Sequence, residues 1–257
     1  MPELIVRRDG AIGWIVFSNP AKNNAVNYQM IAALRETVGR AERDPHVKVI
    51  AFTGEGTQAF VSGADVGEFG NTRGSASSVV TYNYAMEEAY RAVTGCRKPT
   101  LACVRGPCFG VGLSLALYSD MRVCSDDAQF SHQAAKLGLG VSYPSVKRLV
   151  DVVGPARAAD ILLTGRKVGA AEALSLGLAN RVFPAAELDA GFRELATDIA
   201  DAAPLSLLAS KLSIRGTLGE VDLRDVKLAS EACHASDDYV EGRKAFVEKR
   251  KPNFRGR

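Results

Sequence analysis

The sequence reads as an α/β core followed by a helical C-terminal region. Apolar runs of strand length alternate with runs of helical period up to about residue 187, and from there the pattern is helical alone. Twice, at residues 60–69 and 100–118, a strand-like run breaks on glycine and restarts as a helix. With 257 residues and 47% hydrophobic content, the chain can bury a sizeable core. The expected organisation is a core over residues 1–190 and a helical region over 191–257.

Taken in order, residues 4–8 and 11–17 are strand-like and flank Asp9-Gly10, a strong hairpin signal. A polar loop, SNPAKNNAVN, covers residues 18–27. Asn27 can cap a helix that runs to about Arg43, because Met30, Ile31, Leu34, Val38 and Ala41 recur at helical spacing and Asp44-Pro45 provides the stop. Residues 47–53 form a buried strand ending at Gly54. Residues 100–104 form another, ahead of Gly106, Gly110 and Gly112 and the apolar helical run through Tyr118. A helix opened by Pro144 stops at Gly154-Pro155, two short helices end at Gly165 and Gly177, and residues 179–183 read as a last strand. Helices then cover 188–202, 205–215, 223–236 and 238–249, and residues 70–78 (GNTRGSASS) are the most mobile candidate.

Charge and cysteine usage narrow the function classes. A formal net charge of +3 is too mild to imply nucleic acid. Five cysteines, odd in number and without paired spacing, fit reduced core thiols, and three histidines without ligand spacing imply no metal. The N-terminus lacks a signal-type apolar region and no apolar run approaches the ~18 residues of a membrane span, so a cytoplasmic protein is expected.

A strand that ends on glycine and restarts as a helix leaves the first N–H groups of that helix unpaired and pointing outward. Gly106 to Asp120 is one such stretch; alone, it is equally well a turn that lets a helix pack close to a sheet. The second, FVSGADVGEF, puts Ala64 and Asp65 at the start of a short helix. Junctions at Ala64 and Val111 can set two backbone N–H groups around one carbonyl oxygen, an oxyanion hole. Asp65 itself reads first as a helix cap.

Six segments carry a resemblance: AKNNAV, FVSGADVGEF, KPTLACVRGPCFGVGLSLALYSDMRV, AQFSH with KLGLG, LTGRKVGAAEALSLGLANRV and DYVEGRKAFVEKRKPNF. In this order and spacing the chain resembles the enoyl-CoA hydratase/isomerase family, the crotonase superfamily, over nearly its whole length. The resemblance implies a spiral of ββα repeats with a C-terminal helical trimerisation region, assembled as a homotrimer or a hexamer of paired trimers. It also implies a coenzyme A thioester as substrate, in fatty acid metabolism, with no permanently bound cofactor. On that basis the oxyanion donors are the N–H groups of Ala64 and Val111, with Val111 standing where the family usually has glycine. Lys22 and the backbone of Asn24, Ala25 and Val26 would follow the adenine, while Ser62, Ala64, Asp65 and Val66 would flank the pantetheine. Phe246 and Lys249 would meet the CoA of a neighbouring subunit, in a segment where seven basic residues face one acidic residue.

The catalytic positions depart from the family. Its hydratases work on water with two glutamates, where this chain has Ser114 and Ala134, and neither supplies a carboxylate. His132 is the first choice for a replacement base or acid, against a structurally satisfied histidine at a strand end. Tyr143 and Ser142 lie in the neighbouring loop, and Tyr82 and Tyr84 lie in a segment that relatives use as a lid; a phenol can protonate an enolate. Ser114 could orient water but lacks a base to make it a nucleophile. Two readings follow: an enzyme acting on an acyl-CoA through its enolate, of hydratase or lyase type with decarboxylation or hydrolysis of a β-oxo acyl-CoA as variants, or a non-catalytic acyl-CoA binder.

Overall fold

The computed structural model describes residues 2–257. Its strands are β1 (Glu3–Asp9), β2 (Ile12–Ser18), β3 (Val49–Gly54), β4 (Thr100–Val104), β5 (Pro107–Phe109), β6 (Met121–Ser125), β7 (Gln129–Ser131), β8 (Val168–Gly169) and β9 (Arg181–Phe183). Its helices are α1 (Tyr28–Arg43), α2 (Phe69–Thr72), α3 (Ala76–Gly95), α4 (Val111–Tyr118), α5 (Tyr143–Val153), α6 (Pro155–Thr164), α7 (Ala170–Ser175), α8 (Leu188–Ala200), α9 (Pro204–Thr217), α10 (Leu223–His234) and α11 (Asp237–Glu248).

A six-stranded sheet in the order β1-β2-β3-β4-β6-β9 carries the fold. The β1/β2 pair is the antiparallel hairpin expected around Asp9-Gly10, and the remaining pairs are parallel. The period of two divides the core cleanly. Ile15, Phe17, Ile50, Phe52, Ala102 and Val104 face one buried cluster, toward α1, α3 and α4. Trp14, Val16, Val49, Ala51, Leu101 and Cys103 face the other, which α8 closes with Leu188, Phe192 and Leu195. The expected boundary at residue 190 therefore falls inside a helix that covers the sheet.

Local capping explains where the elements begin. The Asn27 side chain accepts from the Met30 N–H at 2.9 Å, as expected for α1. Residues 70–92, read from sequence only as loop and lid, contain most of a 20-residue helix, α3. Ser75 and Ser78 form a reciprocal capping box at its start, a serine pair without the glutamate that usually advertises one. Tyr82 is buried on this helix and Tyr84 is exposed.

Two buried cations lock the framework. Arg122 donates to the carbonyls of Leu178 at 2.7 Å and Ser119 at 3.1 Å, anchoring the end of α4, and burial pushes its guanidinium down to about 10. Lys211 of α9 reaches Asp120 at 2.7 Å and the Lys98 carbonyl at 3.2 Å. Asp120 in turn accepts from the Thr100 N–H at 2.8 Å, so the C-terminal helices are tied to the start of β4. Cys96, Cys103, Cys108 and Cys124 are buried free thiols and Cys233 is a partly exposed one. Among the described residues, no helix is long and apolar enough to cross a membrane.

Candidate active site

A small sheet, β5-β7-β8, stands beside the large one and positions the site. Residues 61–64 run between two partners: Val61 bridges in parallel to Cys108 of β5, and Ala64 bridges in parallel to Val26. The Asp65 N–H donates to the Val26 carbonyl at 2.8 Å and the Val26 N–H to the Gly63 carbonyl at 2.9 Å. This pins the backbone on either side of Ala64. On the facing side, Gly110 takes φ +51° and ψ −110°, a conformation closed to most L-residues, and turns the chain from β5 directly into α4. Val111 is the first residue of α4, and its side chain packs against the hydrophobic core.

The N–H groups of Ala64 and Val111 have no acceptor among the described residues. Both residues border one cavity of about 230 Å³, together with Ser62, Val66, Ser114 and His132. Two unpaired donors from separate elements at one cavity can receive a single oxygen on which negative charge develops.

Beside this cavity lies the loop at 19–27. Asn23 and Asn24 both have left-handed backbones, at φ +49° and +57°. The buried Asn24 side chain donates to the carbonyls of Glu55 and Ala59 at 3.0 and 2.8 Å and accepts from the Asn19 N–H at 3.1 Å, so it shapes the loop. Ala25 and Val26 are buried. Ser62 clasps the loop by donating to the Lys22 carbonyl at 2.9 Å. Lys22 Nζ lies 2.6 Å from an Asp65 carboxylate oxygen, and Asp65 accepts from the Gly67 N–H at 3.1 Å. Asp65 is thus the cap expected from sequence, and the Lys22 bond holds its carboxyl below the usual range.

The polar floor of the cavity comes from α3, α4 and the residues after β7. Ser114 is buried, and the phenol of Tyr90 lies next to it. Tyr90 stacks on Tyr118 at 4.5 Å, and burial raises both phenols. Ala134 opens a 3-10 turn after β7 and also borders the cavity. His132 Nδ1 is buried without a hydrogen-bond partner, and burial lowers the ring's pKa, so the imidazole is neutral at pH 7.

Three sequence candidates lie elsewhere. Tyr143 is the first residue of α5 and is 77% exposed, outside the cavity lining; Ser142 and Ser145 on either side do border it. Phe246, 85% exposed, and Lys249, the left-handed cap of α11, sit on the C-terminal helices, where Phe246 borders a separate concavity. Conversely, sequence reading passed over Tyr90 and Arg73, which border the cavity. Tyr90 was hidden in an unassigned helix, and Arg73 is the lone charge in GNTRGSASS.

The family model described as enoyl-CoA hydratase/isomerase matches residues 7–257. A carnitinyl-CoA dehydratase from Proteus mirabilis is 34% identical, over 96% of each chain. A crotonyl-CoA hydratase from Syntrophomonas wolfei is 29% identical over 98% of this chain and 97% of its own. The crystal structure of an enoyl-CoA hydratase/carnithine racemase from Magnetospirillum magneticum superposes with a TM-score of 0.94 at 33% identity, covering 100% of this chain and 97% of that one.

Proposed function

This chain belongs to the enoyl-CoA hydratase/isomerase family, and from that premise we propose that it binds an acyl-CoA thioester and stabilises its enolate, in a reaction of hydratase or lyase type. The observation that carries the reading is the pair of unpaired N–H groups at Ala64 and Val111 on one cavity. Hydrogen bonds from both would strengthen as the thioester oxygen gains charge, so they favour the transition state over the ground state. Lys22 and the 24–26 backbone would then lie toward the nucleotide, and Ser62, Ala64 and Val66 along the pantetheine.

In the hydration direction, the neutral His132 imidazole takes a proton from water as the oxygen bonds to the β-carbon. The double-bond electrons move on to the thioester oxygen, and the enolate collapses by taking a proton at the α-carbon. A lone imidazole does both jobs in turn, where the family's hydratases use two glutamates. Forgoing one acid or base typically forfeits ~10²- to 10⁴-fold. The serine and alanine at 114 and 134 favour one further reading, decarboxylation of a β-oxo or malonyl-type thioester, because loss of CO₂ creates the same enolate without a base.

The test follows crotonyl-CoA by loss of its enoyl absorbance, with binding of the same ligand measured by calorimetry. Turnover that survives Ser114→Ala but not His132→Ala supports hydration on a new base. Tight binding without turnover overturns hydration and leads to the β-oxo and malonyl panel; no turnover there leaves a binder.

A further inference from the structure

The cavity is bordered by a cation that no acidic side chain among the described residues pairs with. Arg73 borders the cavity, and its Nε is buried without a hydrogen-bond partner. Among the described residues the guanidinium makes no ion pair and its Nε no well-aligned hydrogen bond, with the Tyr82 phenol close enough to interact with it. Its neighbours are aromatic: the Phe69 ring lies 4.5 Å away and the Tyr82 ring 4.0 Å away, from guanidinium carbon to centroid. The Tyr82 hydroxyl is itself buried and also without a partner. The nearby acids are occupied. Glu87, which also borders the cavity, pairs with Arg91 at 3.2 Å, and Glu68 accepts from the Tyr28 N–H at 3.0 Å.

The backbone holds Arg73 in this place. Its N–H closes α2 on the Phe69 carbonyl at 2.8 Å. The next residue, Gly74, passes so close to the Gly70 carbonyl that a Cβ there would stand 2.2 Å from the oxygen. The chain thus folds back tightly after Arg73, and the two rings keep the side chain over the cavity.

We infer that Arg73 is a specificity residue for an acyl group that ends in a carboxylate, so that the substrate class is a dicarboxylic acyl thioester. This inference rests on the thioester reading of the same cavity. A guanidinium presents parallel N–H donors that match a carboxylate, and a site built to hydrogen-bond a ligand group discriminates strongly against the analogue lacking it. An unbranched hydrocarbon chain would cover Arg73 and leave its donors unpaired, which is unfavourable.

Calorimetry with glutaryl-CoA and pentanoyl-CoA, equal in chain length and different in the terminal carboxylate, tests it. The wild type is expected to bind glutaryl-CoA at least ~10-fold more tightly. Arg73→Met should bring the two affinities together, weakening glutaryl-CoA without weakening pentanoyl-CoA, with an unchanged circular dichroism spectrum reporting that the variant is folded; Arg73→Lys should keep part of the preference. Equal affinities in the wild type, or a preference that persists in Arg73→Met, overturn the inference and leave the thioester reading standing. Failure of either thioester and of free CoA to bind would overturn the thioester reading itself, and the inference with it.

Discussion

A Cβ on Gly112 would stand 2.3 Å from the carbonyl oxygen of Val61, so the second residue of α4 presses directly on the backbone that leads to Ala64. The contact brings the start of α4 against the strand that precedes Ala64. Gly112→Ala meets rigid backbone and should destabilise the fold by ~1–3 kcal/mol. It should also weaken thioester binding. Gly95→Ala, with nothing within 4 Å of the added carbon, should do neither. Urea denaturation and calorimetry on the two variants check this.

His132 gives a pH signature of defined sign. Burial lowers its folded pKa below the unfolded value of about 6.5. Below that value the unfolded chain binds more protons, so this group removes stability as the pH falls toward the folded pKa. His132→Asn should therefore lose less stability than wild type between roughly pH 7 and pH 5. If His132 is the base, the acid limb of the rate profile has its midpoint below about 6.5, and turnover is lost in His132→Ala.

Asp65 titrates in the opposite sense. Its carboxyl is lowered chiefly by the Lys22 bond, so its contribution is fully present above about 3.9 and is lost as the pH falls through the folded value. Asp65→Ala removes the acceptor for the Gly67 N–H and should destabilise by ~0.5–2 kcal/mol. Lys22 is 55% exposed, so Lys22→Met should change stability by less than ~1 kcal/mol. The measurement is urea denaturation at neutral pH and again in acid; the Asp65→Ala difference should shrink only in acid.

The C-terminal helices leave an apolar face. Val247 is 80% exposed beside Phe246, and Val240 is 65% exposed on the same helix. Patches of this kind mark association surfaces. If the trimer expected from the family resemblance uses this face, Val247→Glu should shift sedimentation toward monomer, and an unchanged profile would place the contact elsewhere.

The large sheet apart from β6, together with α1, α6 and the C-terminal helices, was legible because the signals are local: short apolar runs, a period near 3.6, Asn27 as cap and Gly165 as stop. The junctions at Ala64 and Val111 were legible because glycine marks them, at 63 and 110 for a positive φ and at 112 for a close approach. The helix α3 was not, since its capping box uses Ser78 in place of an acid and its apolar positions are diluted by exposed Val80 and Tyr84. The short strands β5 and β7 have three residues each, too few for any pattern to register. Tyr143 follows His132 and Ala134 closely in sequence, whereas Tyr90, on α3, is the tyrosine that tertiary packing brings to Ser114. Such contacts have no sequence period, so they emerge only when the sheets are assembled.

One thioester oxygen is expected to accept from the N–H groups of Ala64 and Val111 together. Infrared difference spectroscopy of a bound, unreactive acyl-CoA carrying ¹³C at the thioester carbonyl reads this directly. The expected result is a stretch displaced to lower frequency than in water, with the displacement reduced in Gly112→Ala. A bound thioester whose carbonyl stretch matches that in water would contradict it.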